Sequence, residues 1–222
     1  MNKEADKIRS RLHGKLFKYD IKKYKFKEII ESLLGCPCSL LHTHLGTYEE
    51  FIQKTDQSTL AHKVFYSNYK RLLFPTYYNL QKEFIKEIVK EPFYYQVVPT
   101  FRIGLPGNKF VGEYHKDSDY SHQPYEVNFN LGISGYEGKA ALRSETFPDS
   151  KTYTTLECPY GNVLSFDHIG CMHGSDINPY NTTLVSFDFR IALLSNYYDT
   201  KEQSIHRNKN LKTGDYFSEE II

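Results

Sequence analysis

The chain has 222 residues, 40% hydrophobic and 25% charged, and its 28 Lys and Arg against 27 Asp and Glu leave a formal net charge of +1. That balance excludes a global field that would draw the protein onto nucleic acid or an anionic membrane, while the apolar fraction suffices for one core of ordinary size. No apolar run approaches the roughly 20 residues that span a bilayer, and the N-terminus lacks the apolar core of a secretory signal, so a soluble, cytoplasmic chain is expected. Four cysteines are too few for a disulfide scaffold, and free thiols follow.

In chain order, the first feature is a basic cluster between Lys3 and Lys27 that includes Arg9, Arg11, Lys15, Lys18, Lys22, Lys23 and Lys25; it reads as a solvated face or a leader. From Lys25 to about Glu91 the pattern is helical. Phe26, Ile29, Ile30 and Leu33 share one stripe, Val64, Phe65, Leu72 and Leu73 another, and Pro75 opens a helix carrying Leu80, Phe84, Ile85 and Ile88. Inside this region "CPCSLLHTH" offers Cys36, Cys38, His42 and His44 to a zinc ion. The Cys-x-Cys spacing is tighter than structural zinc sites use, and the apolar edge "LLHTHL" suits a packed helix better.

Near Pro92 the period changes to two. Short runs rich in aromatic and β-branched residues follow: "FYYQVVPTFRI", "KFVGEY", "YEVNFNLGIS", "KAALRSE", "KTYTTLE", "NVLSFD" and "TLVSFDFRIALL", separated by turn signals such as "LPGN" and "CPYGN". Seven or eight strands at this spacing predict an antiparallel sandwich or jelly roll with helices on its outer face. The expected organisation is one domain: a helical portion over residues 1–91, a β core over 92–195, and a polar, irregular tail or cover over 196–222.

The chemistry gathers in "EYHKDSDYSHQPYEVNF". In an extended segment His115 and Asp117 leave the same face, which brings an imidazole and a carboxylate together. Downstream, "FDHIGCMHGSD" supplies His173 after a strand and before a glycine. Two imidazoles and one carboxylate occupy one triangular face of an octahedral iron(II) ion and leave its other positions open. His115, Asp117 and His173 are therefore the expected metal ligands and catalytic centre, whereas His122 and His168 read as hydrogen-bonded structural residues.

The runs "PTFRIGLPGNKFVGEYHKDSDYSHQPYEVNFNLGIS" and "GNVLSFDHIGCMHGSDINPYNTTLVSFDFRI" resemble the iron(II)- and 2-oxoglutarate-dependent dioxygenases. The likeness is to the subgroup of streptomycin-biosynthesis dioxygenase-like proteins, in the neighbourhood of phytanoyl-CoA hydroxylases. It covers roughly Tyr94 to Leu194. The resemblance implies a double-stranded β-helix (jelly roll, cupin-like), Fe(II) on His115, Asp117 and His173, and oxidative decarboxylation of 2-oxoglutarate by O2 to succinate and CO2. Many relatives hold the far carboxylate of 2-oxoglutarate with an Arg eleven residues beyond the distal His and a Ser two residues later. This chain has Leu184 and Ser186 at those places.

Strand alternation puts Ser186, Asp188 and Arg190 on the face where relatives carry their anchor. Arg190 is thus the expected replacement, with Arg102 and Arg143 in reserve and Asn128 as a further co-substrate contact. Tyr114, Asp119, Tyr120 and Tyr125 are expected at the mouth, suiting a small polar substrate such as a sugar, cyclitol or natural-product intermediate. The competing expectations are a jelly-roll binding module without turnover and a cupin-like metalloenzyme that does not use 2-oxoglutarate. Neither a membrane nor nucleic acid is an expected partner.

Overall fold

The computed structural model describes residues 3–45, 51–52, 55–110, 113–204 and 209–222. Its organising element is the longest strand, β9 (Leu184–Leu193), whose alternation divides two environments. Val185, Phe187, Phe189 and Ile191 are fully buried in the main apolar cluster. Ser186, Asp188 and Arg190 point the other way and line a cavity.

On one side β9 pairs antiparallel with β4 (Glu126–Gly132), Asn128 opposite Arg190 and Asn130 opposite Asp188. On the other it pairs with β2 (Phe93–Gln96) and β3 (Thr100–Gly104), placed end to end along it. The run read as one strand, "FYYQVVPTFRI", is therefore two, interrupted before Thr100 by Pro99, which has no N–H for the ladder. The large antiparallel sheet has seven strands, in the order β1 (Lys15–Lys18), β7 (Asn162–Phe166), β4, β9, β2 and β10 (Phe217–Ile221), with β3 on β9. A second sheet of three strands runs β6 (Tyr153–Leu156), β5 (Leu142–Glu145), β8 (His173–Ser175).

The apolar face of the large sheet is covered by helices. In α2 (Phe26–Leu34), Phe26 and Ile30 lie one turn apart and are buried, and Gly35 ends the helix at φ 72°, where a Cβ would be strained. The helix α3 (Leu60–Leu72) starts on Thr59, whose side chain accepts from the His62 amide. A further helical stretch follows as α4 (Phe74–Leu80), a π-helical turn (Gln81–Ile85) and α5 (Lys86–Val89), with Pro75 in its first turn. Phe65 stacks on Phe101 at 4.4 Å, while Phe26 and Tyr77 meet Phe187 and Phe189 edge-on at 5.5 Å each. Each such aromatic contributes about 1.5–3 kcal/mol by leaving water. The Tyr77 hydroxyl donates to the Gln96 carbonyl at 2.8 Å, so its burial leaves no polar group stranded.

Several expectations need correction. The helical N-terminal portion also contributes β1, which pairs with β7, and the polar C-terminal stretch contributes β10, which pairs with β2. Both were hidden because an edge strand of four or five residues with charged faces shows little apolar alternation. Arg9, on α1 (Lys3–Leu12), is not solvated: its Nε lies 3.1 Å from Asp167 Oδ1, and Nη1 donates to the carbonyls of Pro124 and Glu126. In "KFVGEY", residues 111–112 lie outside the described residues, and Phe110, Glu113 and Tyr114 belong to no strand. Of the "CPC" cluster, Cys36 and Cys38 are buried free thiols, and burial pushes the Cys38 thiol up to about 12. His42 Nδ1 is engaged by the Thr183 hydroxyl at 2.9 Å. Among the described residues, no helix is long and apolar enough to cross a membrane.

Candidate metal centre

His115 and His173 face each other across an isolated antiparallel bridge, each amide donating to the other's carbonyl at 2.9 Å. Their rings consequently lie side by side, with centroids 4.6 Å apart. Lys116 is extended (φ −104°, ψ 140°), and the chain then turns into a short 3₁₀ helix, Asp117–Tyr120. The H-x-D segment is thus not the continuous strand expected from alternation; one extended residue suffices to return Asp117 to the side of His115. The Asp117 amide, donating to the His168 carbonyl at 2.8 Å, fixes the turn.

Both imidazoles are oriented by their outer nitrogens. Nδ1 of His115 lies 2.9 Å from the Glu113 carbonyl, and Nδ1 of His173 lies 3.0 Å from that of Cys171. A carbonyl only accepts, so each Nδ1 carries a hydrogen and Nε2 is the nitrogen each ring turns inward, the one a metal would take. The two Nε2 atoms stand 3.1 and 3.4 Å from Asp117 Oδ1. All three ligand atoms fall within 4.8 Å of one another, and this is the one such cluster among the described residues. Two imidazole nitrogens and a carboxylate oxygen converging in a buried place are a donor set that fits a divalent metal. Burial disfavours ionisation of Asp117, yet the Arg190 guanidinium and then the two imidazoles outweigh it and hold its carboxyl well below the usual carboxylate range.

Behind the triad lies a chain of buried charges. Arg190 directs Nε (3.0 Å) and Nη2 at Asp117 Oδ2, places Nη2 3.5 Å from Asp188, and donates from Nη1 to the Tyr216 hydroxyl at 3.2 Å. Arg102, opposite Ser186 in the β3–β9 register, spans Asp56 at 2.8 Å and Asp188 at 3.1 Å. With its amide nitrogen turned towards Asp188, Asn128 donates to Oδ1 at 2.7 Å.

These groups form one wall of a pocket with about 500 Å³ of free space including its mouth, between the two sheets. Phe110, Tyr136, Leu142 and Phe166 supply the apolar part of the lining, Phe166 beside Asn128 in the β4–β7 register. Leu184 packs against that same apolar cluster, so the place where relatives carry an arginine is greasy here.

The structure therefore brings together His115, Asp117, His173, Arg102, Asn128, Ser186 and Arg190 around one cavity. Arg143 is absent from the lining and faces Asp176 at 3.5 Å with its side chain 44% exposed. The Tyr120 ring lies tilted 4.8 Å from that of His115, and Tyr114 is exposed with its hydroxyl on Asp176. Tyr125 is fully buried and bonded to the Tyr198 carbonyl, which removes it from the mouth. Asp119 Oδ2 accepts from the Lys116 amide and steadies the turn. His122 is bonded to Glu126 at 2.7 Å, and His168 is fully buried 4.0 Å from the same carboxylate. Asp56 and Tyr216 were missed: each stands in a segment without a periodic signal, and only the fold carries them to the arginines.

A curated relative, the streptomycin biosynthesis protein StrG of Streptomyces griseus, is 32% identical over 165 residues, which is 74% of this chain and 78% of StrG. The chain belongs to the family of this streptomycin biosynthesis protein. No protein-family model matches it. Among solved structures, EctD from S. alaskensis with bound Fe superposes with a TM-score of 0.55 at 11% identity, over 90% of this chain and 79% of EctD. Its apoform gives 0.51 at 13% identity, over 93% and 81%. At that identity the likeness is one of fold, and it covers the helical portion as well as the sheets.

Proposed function

We propose that the protein is a non-haem iron(II) oxygenase that uses 2-oxoglutarate and O2 to hydroxylate or otherwise oxidise a small polar metabolite, releasing succinate and CO2. The observation that carries this reading is the convergence of His115 Nε2, Asp117 Oδ1 and His173 Nε2, with both outer imidazole nitrogens already tied to carbonyls. Iron, when bound, supplies open coordination positions for the co-substrates and the redox chemistry. The protein supplies placement and shielding. On this reading the two sheets flanking the pocket are the halves of a double-stranded β-helix.

The co-substrate belongs against the wall made by Ser186, Asn128 and Arg102. Arg190 lines the same wall, but its guanidinium is engaged by Asp117, so Arg102 is the better anchor: it stands beside Ser186 and holds Asp56 through a single nitrogen. A carboxylate ligand would take the place of Asp56 on that nitrogen. The rim formed by Tyr114 and Tyr120 suits a hydroxylated substrate, since phenols offer both a flat apolar face and a hydrogen bond.

A second reading, a metal-binding module or cupin-like metalloenzyme that does not use 2-oxoglutarate, is favoured by Leu184 and by the pairing of both pocket arginines with carboxylates. Calorimetric titration of 2-oxoglutarate into the Ni(II)-loaded protein, together with CO2 release from carboxyl-labelled 2-oxoglutarate by the Fe(II) form, tests the two. Binding and decarboxylation support the oxygenase. Metal binding without either supports the second reading, and a wild-type protein that binds no divalent metal overturns both.

A further inference from the structure

The Asp117 carboxylate is divided between two tasks. Oδ1 faces the two imidazoles, while Oδ2 receives both Nε and Nη2 of Arg190. The geometry points to Arg190 as a positioning residue that occupies Oδ2 and thereby holds Asp117 to one-oxygen coordination of the metal. This rests on the metal assignment proposed above and deepens it.

A carboxylate left with both oxygens free can chelate a divalent ion. Here that would consume one of the about three positions a two-His-one-carboxylate face leaves open on an octahedral ion. A reaction that must seat two co-substrates on the metal has no position to spare. The guanidinium is well built for this duty, because a planar fork can put two donors on one side of a carboxylate and keep it from rotating.

Arg190 is itself immobilised from three directions. Its backbone sits in the central strand β9 between β4 and the Gln96 side chain, whose Oε1 accepts the Arg190 amide at 3.0 Å. Asp188 lies 3.5 Å from Nη2. Tyr216 accepts from Nη1 at 3.2 Å, and its own carbonyl accepts the Val97 amide at 2.9 Å, which docks the C-terminal segment on the β2–β3 connection. The segment ending in β10 thus has a task that its polar composition did not suggest: it closes the far side of the guanidinium.

The test counts water on the metal. The protein is loaded with Mn(II), and water-proton relaxation is measured per bound ion for the wild type and for Arg190→Met. The expected result is about three exchangeable waters in the wild type and about one fewer in the variant, as Asp117 turns both oxygens to the metal. The double variant Arg190→Met, Asp188→Asn removes a second buried acid that would otherwise lose a partner, and it reads the same quantity should the single variant fail to fold. A residue with a merely structural role would lower the amount of bound Mn(II) without changing the waters on each ion. An unchanged water number per bound Mn(II) in the variants overturns the role assigned to Arg190. A wild-type protein that binds no Mn(II) overturns the metal assignment beneath it.

Discussion

Asp56→Asn should make the protein more stable at neutral pH, although it removes one side of a buried ion pair. Asp56 is 1% exposed, and burial raises its pKa to about 6 in spite of the Arg102 guanidinium 2.8 Å away. In the unfolded chain the same carboxyl titrates at its ordinary value of 3.8. The folded value lies above the unfolded one, so the protonated form favours the fold. That contribution is complete below about pH 4 and is lost as the pH rises through 6. The gap corresponds to about 3 kcal/mol, at about 1.4 kcal/mol per pH unit. Asparagine mimics the neutral carboxyl and does not ionise, while Arg102 keeps Asp188 at 3.1 Å and an amide oxygen in place of Asp56. Urea unfolding of both proteins from pH 4 to 7.5 should give similar stabilities at the acid end. At neutral pH the variant should lead by about 2–3 kcal/mol. A variant less stable than the wild type at pH 7, or a difference that does not change with pH, would show that attraction to Arg102 exceeds the cost of burying Asp56.

Replacing His115, Asp117 or His173 by Ala should each abolish stoichiometric iron, measured by metal analysis after anaerobic loading, whereas the double change Cys36→Ser, Cys38→Ser should keep it. Arg102→Leu should weaken 2-oxoglutarate binding by about a hundredfold or more in calorimetry on the Ni(II) form, since losing a buried charge-assisted pair costs about 3–5 kcal/mol. It should leave the metal in place, and an unchanged dissociation constant would move the anchor elsewhere. Phe187→Ala should cost about 3–5 kcal/mol of unfolding free energy in urea, because its ring is fully buried between Phe26, Phe65 and Phe101.

What the sequence made legible follows from the range over which each signal acts. The face of β9 is a local property, so alternation separated Val185, Phe187, Phe189 and Ile191 from Ser186, Asp188 and Arg190, as found. The triad was legible because ligand chemistry restricts residue types so strongly that His115, Asp117 and His173 stood out even where the supposed strand around His115 proved to be a single bridge and a 3₁₀ turn. Pairing partners across the fold were not legible. Nothing local to Arg190 tells that its guanidinium ends on Asp117, 73 positions away, and nothing local to Asp56 tells that it ends on Arg102, 46 positions away. The same limit governs Leu184. From sequence it was a missing anchor; in the fold it joins an apolar cluster with Phe110 and Phe166, on the same sheet as arginines already matched by acids. The pocket has therefore not simply lost a charge at one position. Counting Arg102 and Arg190 against the lining acids Asp117 and Asp188 and against Asp56, which sits behind Arg102, the fixed groups sum to −1 when all are ionised, and a divalent metal brings the sum to +1, one charge short of matching a dicarboxylate. Protonation of Asp56 supplies the missing charge and releases an Arg102 nitrogen at the same time. On the proposed reading, 2-oxoglutarate binding on this wall should take up a proton at Asp56, a residue outside the metal's own ligand set, which calorimetry in buffers of different ionisation enthalpy checks.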